Sequence, residues 1–305
     1  DVAPSRGLGD VYKRQLKSSM KRTFGIIAAL ILALCLCACT KSGESTTQPT
    51  ETQPSSTQDL SVYEKSEGLL SQEVWYNENG LKFSTVKYEY DAAGRLVKET
   101  TLGINDAPVG YKEYVLNADG LPETMINYIA DGPEEYSEEY RVLFEYNDTG
   151  LKMKETSMIG DTAASVTTYA YEGSDLVDEK YYEGSELISE IAYEYDEAGR
   201  LTKLVRRDML EDSETSETCT YDKNGLLASR EVSGSDGIES RTEYSYDEHG
   251  NELSVSIYGP DGSAISITKN EYEYDEPGNI VKCTRTQGDG EQSTVIEYSW
   301  SYVKG

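Results

Sequence analysis

From Val74 to the end of the chain, apolar and polar positions alternate with a period of two, and the alternation is broken at regular intervals by a short polar turn ending in glycine. "YEYDAAGRL" at 88 returns as "YEYDEAGRL" at 193, with looser copies "YSYDEHGNEL" at 244, "YEYDEPGNI" at 272, "CTYDKNGLL" at 219 and "FEYNDTGLK" at 144. Fainter copies are "VWYNENGLK" at 74, "YVLNADGLP" at 114 and "YAYEGSDL" at 169. In Y-x-Y both rings point to one face of a strand, and the residue between them, such as Glu89, Glu194 or Glu273, points to the other. The following Asp or Asn suits the first position of a type I turn, where its side chain caps the backbone. Glycine three residues later suits the bulge position, which needs a positive φ. The turn-forming residues are therefore Asp91 and Gly94, Asp196 and Gly199, Asp222 and Gly225, Asp247 and Gly250, and Asp275 and Gly278. In the copy at 169, Gly173 comes two residues early, so that turn should differ.

The second aromatic position is Tyr76, Tyr90, Leu116, Tyr146, Tyr171, Tyr195, Tyr221, Tyr246, Tyr274 and Trp300. After Tyr90 the spacing is 24 to 30 residues, enough for two strands, this turn and a second turn at the opposite end. The gap from Tyr76 to Tyr90 is 14, which leaves room for one strand and places the turn at 77–80 at the opposite end. "SGSDG" at 233, "GPDG" at 259 and "GDG" at 288 are candidates for the second turn, and Gly184 reads as lying outside the repeat turns. The fold class expected is all-β: a curved antiparallel meander of about nine hairpin repeats, open or partly closed. Eighteen or so strands would span about 85 Å if flat, and sheets that wide must twist and curl. Repeats stacked in one dimension predict that loss of one leaves the others folded.

Nine turns in phase resemble the YD-repeat, or Rhs-repeat, family of bacterial surface and toxin-shell proteins, over residues 74 to about 302. The resemblance implies consecutive antiparallel hairpins in a long curling sheet. The large toxin shells of that family also carry a self-cleavage motif and a toxin; this chain instead runs into a repeat-like strand, "VIEYSWSYVKG", and the toxin activity is not expected here.

The residues before the repeat carry the address. Residues 5–15, "SRGLGDVYKRQ", resemble a translated sequencing adapter, so residues 1–19 are set aside. Met20 then opens a basic start and an apolar run too short to cross a bilayer, which reads as a secretory signal over 20–38. It closes in Leu36-Cys37-Ala38-Cys39, which resembles the lipobox of bacterial lipoproteins. The resemblance implies lipid attachment at Cys39 and a protein held on the cell membrane, facing outside the cytoplasm. Two acyl chains give stable anchoring where one would be marginal. Residues 39–59, rich in Ser, Thr, Pro and Gln, read as a disordered linker, and 60–305 as the repeat domain.

Removing residues 1–38 takes away six of 28 basic and two of 56 acidic residues, leaving a net charge of −32. No basic footprint for phosphate remains, so nucleic acid is excluded as a partner. The aromatic bias is stronger still: 25 Tyr against 3 Phe and 2 Trp. A ladder of Tyr195, Tyr221, Tyr246 and Tyr274 on the concave face is the candidate binding face, because so many hydroxyls suggest a half-wet surface on which sugar rings could stack. Chemistry is harder to find. His249 is the sole histidine and sits in a turn. No catalytic residues, metal site or cofactor are expected, and Cys219 and Cys283 read as unpaired. The function expected is a non-enzymatic cell-surface lipoprotein acting as a binding or adhesion module for a glycan or surface protein. A structural envelope protein, or an accessory partner of an Rhs-type toxin system, is the alternative.

Overall fold

The computed structural model describes residues 68–288 and 292–302. The signal, Cys39, the linker and most of "GDG" at 288 lie outside the described residues. Eighteen strands follow one another: β1 (Gly68–Tyr76), β2 (Lys82–Tyr90), β3 (Leu96–Leu102), β4 (Pro108–Leu116), β5 (Pro122–Ala130), β6 (Tyr136–Tyr146), β7 (Lys152–Ile159), β8 (Thr162–Glu172) and β9 (Asp175–Glu183). They continue as β10 (Glu186–Tyr195), β11 (Leu201–Asp208), β12 (Ser213–Tyr221), β13 (Leu227–Gly234), β14 (Gly237–Tyr246), β15 (Glu252–Tyr258), β16 (Ala264–Tyr274), β17 (Ile280–Gln287) and β18 (Gln292–Tyr302). Each strand pairs antiparallel with the next, and β18 pairs with β1 from Gly68–Tyr302 to Tyr76–Val295. The meander is therefore a closed barrel. Closure removes both sheet edges, which would otherwise present unpaired backbone groups.

The turns explain the repeat. At Asp91 the Gly94 N–H donates to the Asp91 carbonyl (3.0 Å) and the Asp91 N–H to the Arg95 carbonyl (2.9 Å), with Gly94 at φ +76°. This is a type I turn closed by a glycine bulge. The Asp91 carboxylate accepts from the N–H groups of Ala93 and Arg95 at 2.8 and 3.0 Å. Asp196, Asp222 and Asp247 repeat that cap. Asn117 and Asn147 do so as well. Gly173, at φ +64°, instead opens a two-residue turn between Glu172 and Asp175, so the early glycine does change the turn.

Because strands alternate in direction, the turns that open at Asp91, Asn117, Asn147, Gly173, Asp196, Asp222, Asp247 and Asp275 gather at one rim, the YD rim. The turn at 77–81 lies at the other, separated from the next by the single strand β2. Gly184 belongs to that far rim. It sits at φ +59° in a two-residue turn between Glu183 and Glu186, so it is a turn glycine after all. The sequence spacing missed it because two-residue turns lack the Asp-x-x-Gly signature.

One face of the wall lies inside the barrel. Val142, Ile191, Cys219, Cys283 and Ile296 are buried there; Val142 is in line with Phe144 and Tyr146, Ile191 with Tyr193 and Tyr195, Cys219 with Tyr221, and Ile296 with Tyr298 and Trp300. The between-residues Glu89, Glu145, Glu194, Ser245 and Glu273 are exposed on the outside. Outside, they meet partners across the hairpin: Glu145 with Lys154 at 2.8 Å, Glu194 with Lys203 at 3.6 Å, Glu273 with Lys282 at 2.6 Å, and Ser245 with Ser254 at 2.7 Å.

Candidate functional site

The inner aromatic face is built at the YD rim, where the hairpins part. Strands β11 and β12 are joined at the far rim, and their ladder ends at Lys203–Thr218, two residues short of Leu201. The Leu201 carbonyl is thus left outside the ladder, and the Tyr221 hydroxyl donates to it at 2.7 Å. The same geometry recurs around the wall. Tyr90 donates to the Leu70 carbonyl, Tyr146 to Pro122, Tyr171 to Lys152, Tyr195 to Leu176 and Tyr246 to Leu227, all at 2.7–2.9 Å. In the last repeat the indole N–H of Trp300 does the same work, donating to Ile280 at 2.9 Å. A buried acceptor without a partner costs on the order of 1–3 kcal/mol. The tyrosine is preferred to phenylalanine because its hydroxyl spans the gap and satisfies that acceptor.

Tyr274 departs from its neighbours. Its hydroxyl donates to Asp247 Oδ2 at 2.6 Å and accepts from Asn251 Nδ2 at 2.8 Å. Burial, then the Asp247 carboxylate, pushes its pKa up to about 12. The carbonyl at the start of β15, Glu252, is met instead by the Tyr272 hydroxyl (2.8 Å) and Asn270 Nδ2 (2.9 Å). Tyr195, Tyr221, Tyr246 and Tyr274 thus share the inner face and are half-buried, with their hydroxyls bonded to groups of the wall itself.

Charges line the same face between the rings. The Tyr114 hydroxyl donates to Glu99 (2.8 Å), and Lys112 approaches the same carboxylate at 3.5 Å. Tyr193 donates to Glu179 at 3.0 Å, and desolvation raises the pKa of Glu179 despite that bond and the nearby Arg206. Arg230 Nε lies 2.6 Å from Glu217 Oε1. Lys152 stands 4.6 Å over the Tyr169 ring, a cation–π contact, and pairs with Glu155.

Other sequence candidates carry no such arrangement. His249 is exposed in its turn, its ring 5.0 Å from Tyr274. Cys219 and Cys283 are buried and not disulfide-bonded, and desolvation raises both thiol pKa values, which disfavours the reactive thiolate. Among the described residues no group of three or more His, Cys, Asp or Glu is placed to hold a metal ion.

A second feature escaped sequence reasoning. A cavity of about 280 Å³ opens near the far rim at the barrel seam, lined by Trp75, Glu78, Arg285, Gln287, Ser293 and Thr294. Its walls come from β1, the turn after it, β17 and β18, which meet only through closure. The one available signal was Trp75 itself, the single tryptophan in the first faint copy of the repeat.

Solved structures of similar shape are remote. A porin-like protein from Bacteroides uniformis superposes with a TM-score of 0.41 at 12% identity, over 78% of this chain and 99% of that one. The TcdB2-TccC3-Cdc42 structure gives 0.29 at 14% identity, over 74% of this chain but only 16% of its own. A putative outer membrane lipoprotein-sorting protein domain from Vibrio parahaemolyticus gives 0.23 at 13% identity, covering 79% and 88%. Superpositions this loose carry no functional argument. No curated protein matches the chain in sequence. Residues 41–290 match the Teneurin YD-shell family, which takes in nearly all of the barrel, and the chain belongs to that family.

Proposed function

We propose that the protein is a non-enzymatic binding module of the bacterial cell envelope, tethered by lipid at Cys39 and presenting its barrel outside the cytoplasm. The observation that carries this reading is closure. A sheet without edges is a rigid, self-sufficient scaffold, and its two rims and inner face are what it offers to a partner. The outer wall is unsuited to lipid, since ion pairs such as Glu145–Lys154 and Glu273–Lys282 stand where a membrane barrel needs an apolar band. The contact surface proposed from the sequence is the inner face at Tyr195, Tyr221, Tyr246 and Tyr274, for a neutral glycan. With the hydroxyls turned into the wall, only the ring faces serve such a ligand. The same hydrogen bonds favour the second reading, a structural envelope protein whose tyrosines exist to hold the wall together.

Two measurements test the proposal, the first its anchor and the second its binding face. Expression from Met20 should give membrane-bound protein that incorporates labelled fatty acid, and Cys39→Ala should abolish the label; persistent acylation would remove the anchor from Cys39. A glycan array with the intact protein should show binding that folded Tyr221→Ala and Tyr246→Ala variants weaken. A silent array, with folding intact, favours the structural reading.

A further inference from the structure

We infer that the cavity at Trp75 is a saccharide site, with Trp75 as the stacking platform and Gln287, Thr294 and Arg285 as the groups that hold the hydroxyls. The inference rests on the binding-module reading above and gives it a location and a ligand class. Several observations converge. The cavity, about 280 Å³, is just under the roughly 300 Å³ at which ligand pockets begin, so it has room for one or two sugar rings at most. Its lining is one aromatic residue and five polar ones, a poor match to an apolar ligand and a good match to a ring with many hydroxyls. Ser293 and Thr294 both donate and accept, Gln287 does so through its amide, Arg285 only donates and Glu78 only accepts.

The platform is preorganised. The Trp75 indole N–H donates to Glu73 Oε2 at 3.2 Å, and the ring stands at 65° to that of Phe83, with centroids 6.5 Å apart. A ring fixed from two sides loses little freedom when a ligand stacks on it. Phe83 is itself 38% exposed, one of only three phenylalanines in a chain of 25 tyrosines. This aromatic pair contrasts with tyrosines such as Tyr195, Tyr221 and Tyr246 at the opposite rim, whose hydroxyls serve the backbone.

Charge decides between a neutral sugar and an anion. Arg285 Nε already donates to Asn270 Oδ1 at 3.1 Å, and the Glu252 carboxylate faces the same guanidinium. Glu78 adds a further carboxylate at the mouth. A phosphate or carboxylate ligand would meet two acids for one shared base. A neutral saccharide meets no such repulsion.

The sequence supplies the means of testing this. The chain has two tryptophans, and Trp300→Tyr restores the residue found at the same position of most other repeats, keeping a donor toward Ile280 and leaving Trp75 as the only indole. The full chain carrying Trp300→Tyr is titrated with maltose, cellobiose, lactose and chitobiose, and with AMP as an anionic probe, while Trp75 emission is followed. A saturable change with at least one disaccharide is expected. By calorimetry, Gln287→Ala and Trp75→Leu in folded protein should weaken that sugar at least tenfold. A response to AMP alone, or affinity within twofold of the parent in both variants, overturns the inference. If the glycan array is positive but Trp75 stays silent to the arrayed sugar, the site assignment falls and the binding-module reading stands. If array and titration are both silent, both fall.

Discussion

Gly199 and Gly184 occupy opposite rims at φ +73° and +59°, and a Cβ built on either meets nothing within 4 Å. Any cost of replacing them is therefore conformational, not steric. Gly199→Val and Gly184→Val should each cost roughly 1–3 kcal/mol, read as a lowered urea midpoint. Gly132→Val, in a turn but without a positive φ, should cost less; equal losses at all three would detach the cost from backbone conformation. The turn aspartates add a pH dependence. The Arg95 N–H and guanidinium hold Asp91 below the usual 3.8, and the Arg200 guanidinium and N–H do the same for Asp196. A carboxylate whose folded pKa is depressed adds stability above its ordinary pKa and loses it as pH falls through the folded value. Asp196→Asn should keep the cap, as Asn117 and Asn147 do, but lose the ion pair to Arg200. Its stability should fall less steeply than that of the parent below about pH 4 in acid titration.

Hairpins were legible in the sequence because both of their determinants are local. Period-two alternation fixed the faces and Asp-x-x-Gly fixed the turns, so β10, β11 and the bend at Asp196 could be drawn from "YEYDEAGRL" alone. The role of the tyrosine hydroxyl was not legible. Its partner, such as the Leu201 carbonyl for Tyr221, is set by where the ladder between β11 and β12 stops, and no residue type announces that. Reading the hydroxyls as wet followed from counting donors without knowing the acceptors. Tyr221→Phe keeps the ring but leaves the Leu201 carbonyl without its donor, so it should cost about 1–3 kcal/mol. Amide exchange should speed up around Leu201 and Lys203 more than at the far rim. Unchanged stability and exchange would mean that the hydroxyl is not holding the two strands together.

Closure changes how the whole molecule unfolds. A stack of repeats in one dimension tolerates loss of a unit, whereas here every strand is flanked on both sides by others, and the last pairing joins Gly68 to Tyr302. That contact could not be read from alternation, because its partners are 234 residues apart and neither strand differs in pattern from its neighbours. Denaturation should be a single transition, with Trp75 and Trp300 fluorescence, both at the seam, coinciding with the far-UV signal from the whole sheet. Removing residues 288–305 should expose β1 and β17 as two free edges and give dimers or larger species by light scattering. A monomeric product with intact strand content would mean that the wall does not depend on its seam.

The pairing of β1 with β18 leaves Gly68 and Tyr302 side by side at the YD rim, and a ring has no first element. A short linker from Tyr302 to Gly68, with the chain opened at the two-residue turn Gly184–Ser185, would rearrange the connectivity without removing any backbone pairing. The order of repeats along the gene should thus be one of several circular permutations compatible with the same barrel, and a permutant opened at Gly184 should assemble the same seam from what is then the middle of its chain.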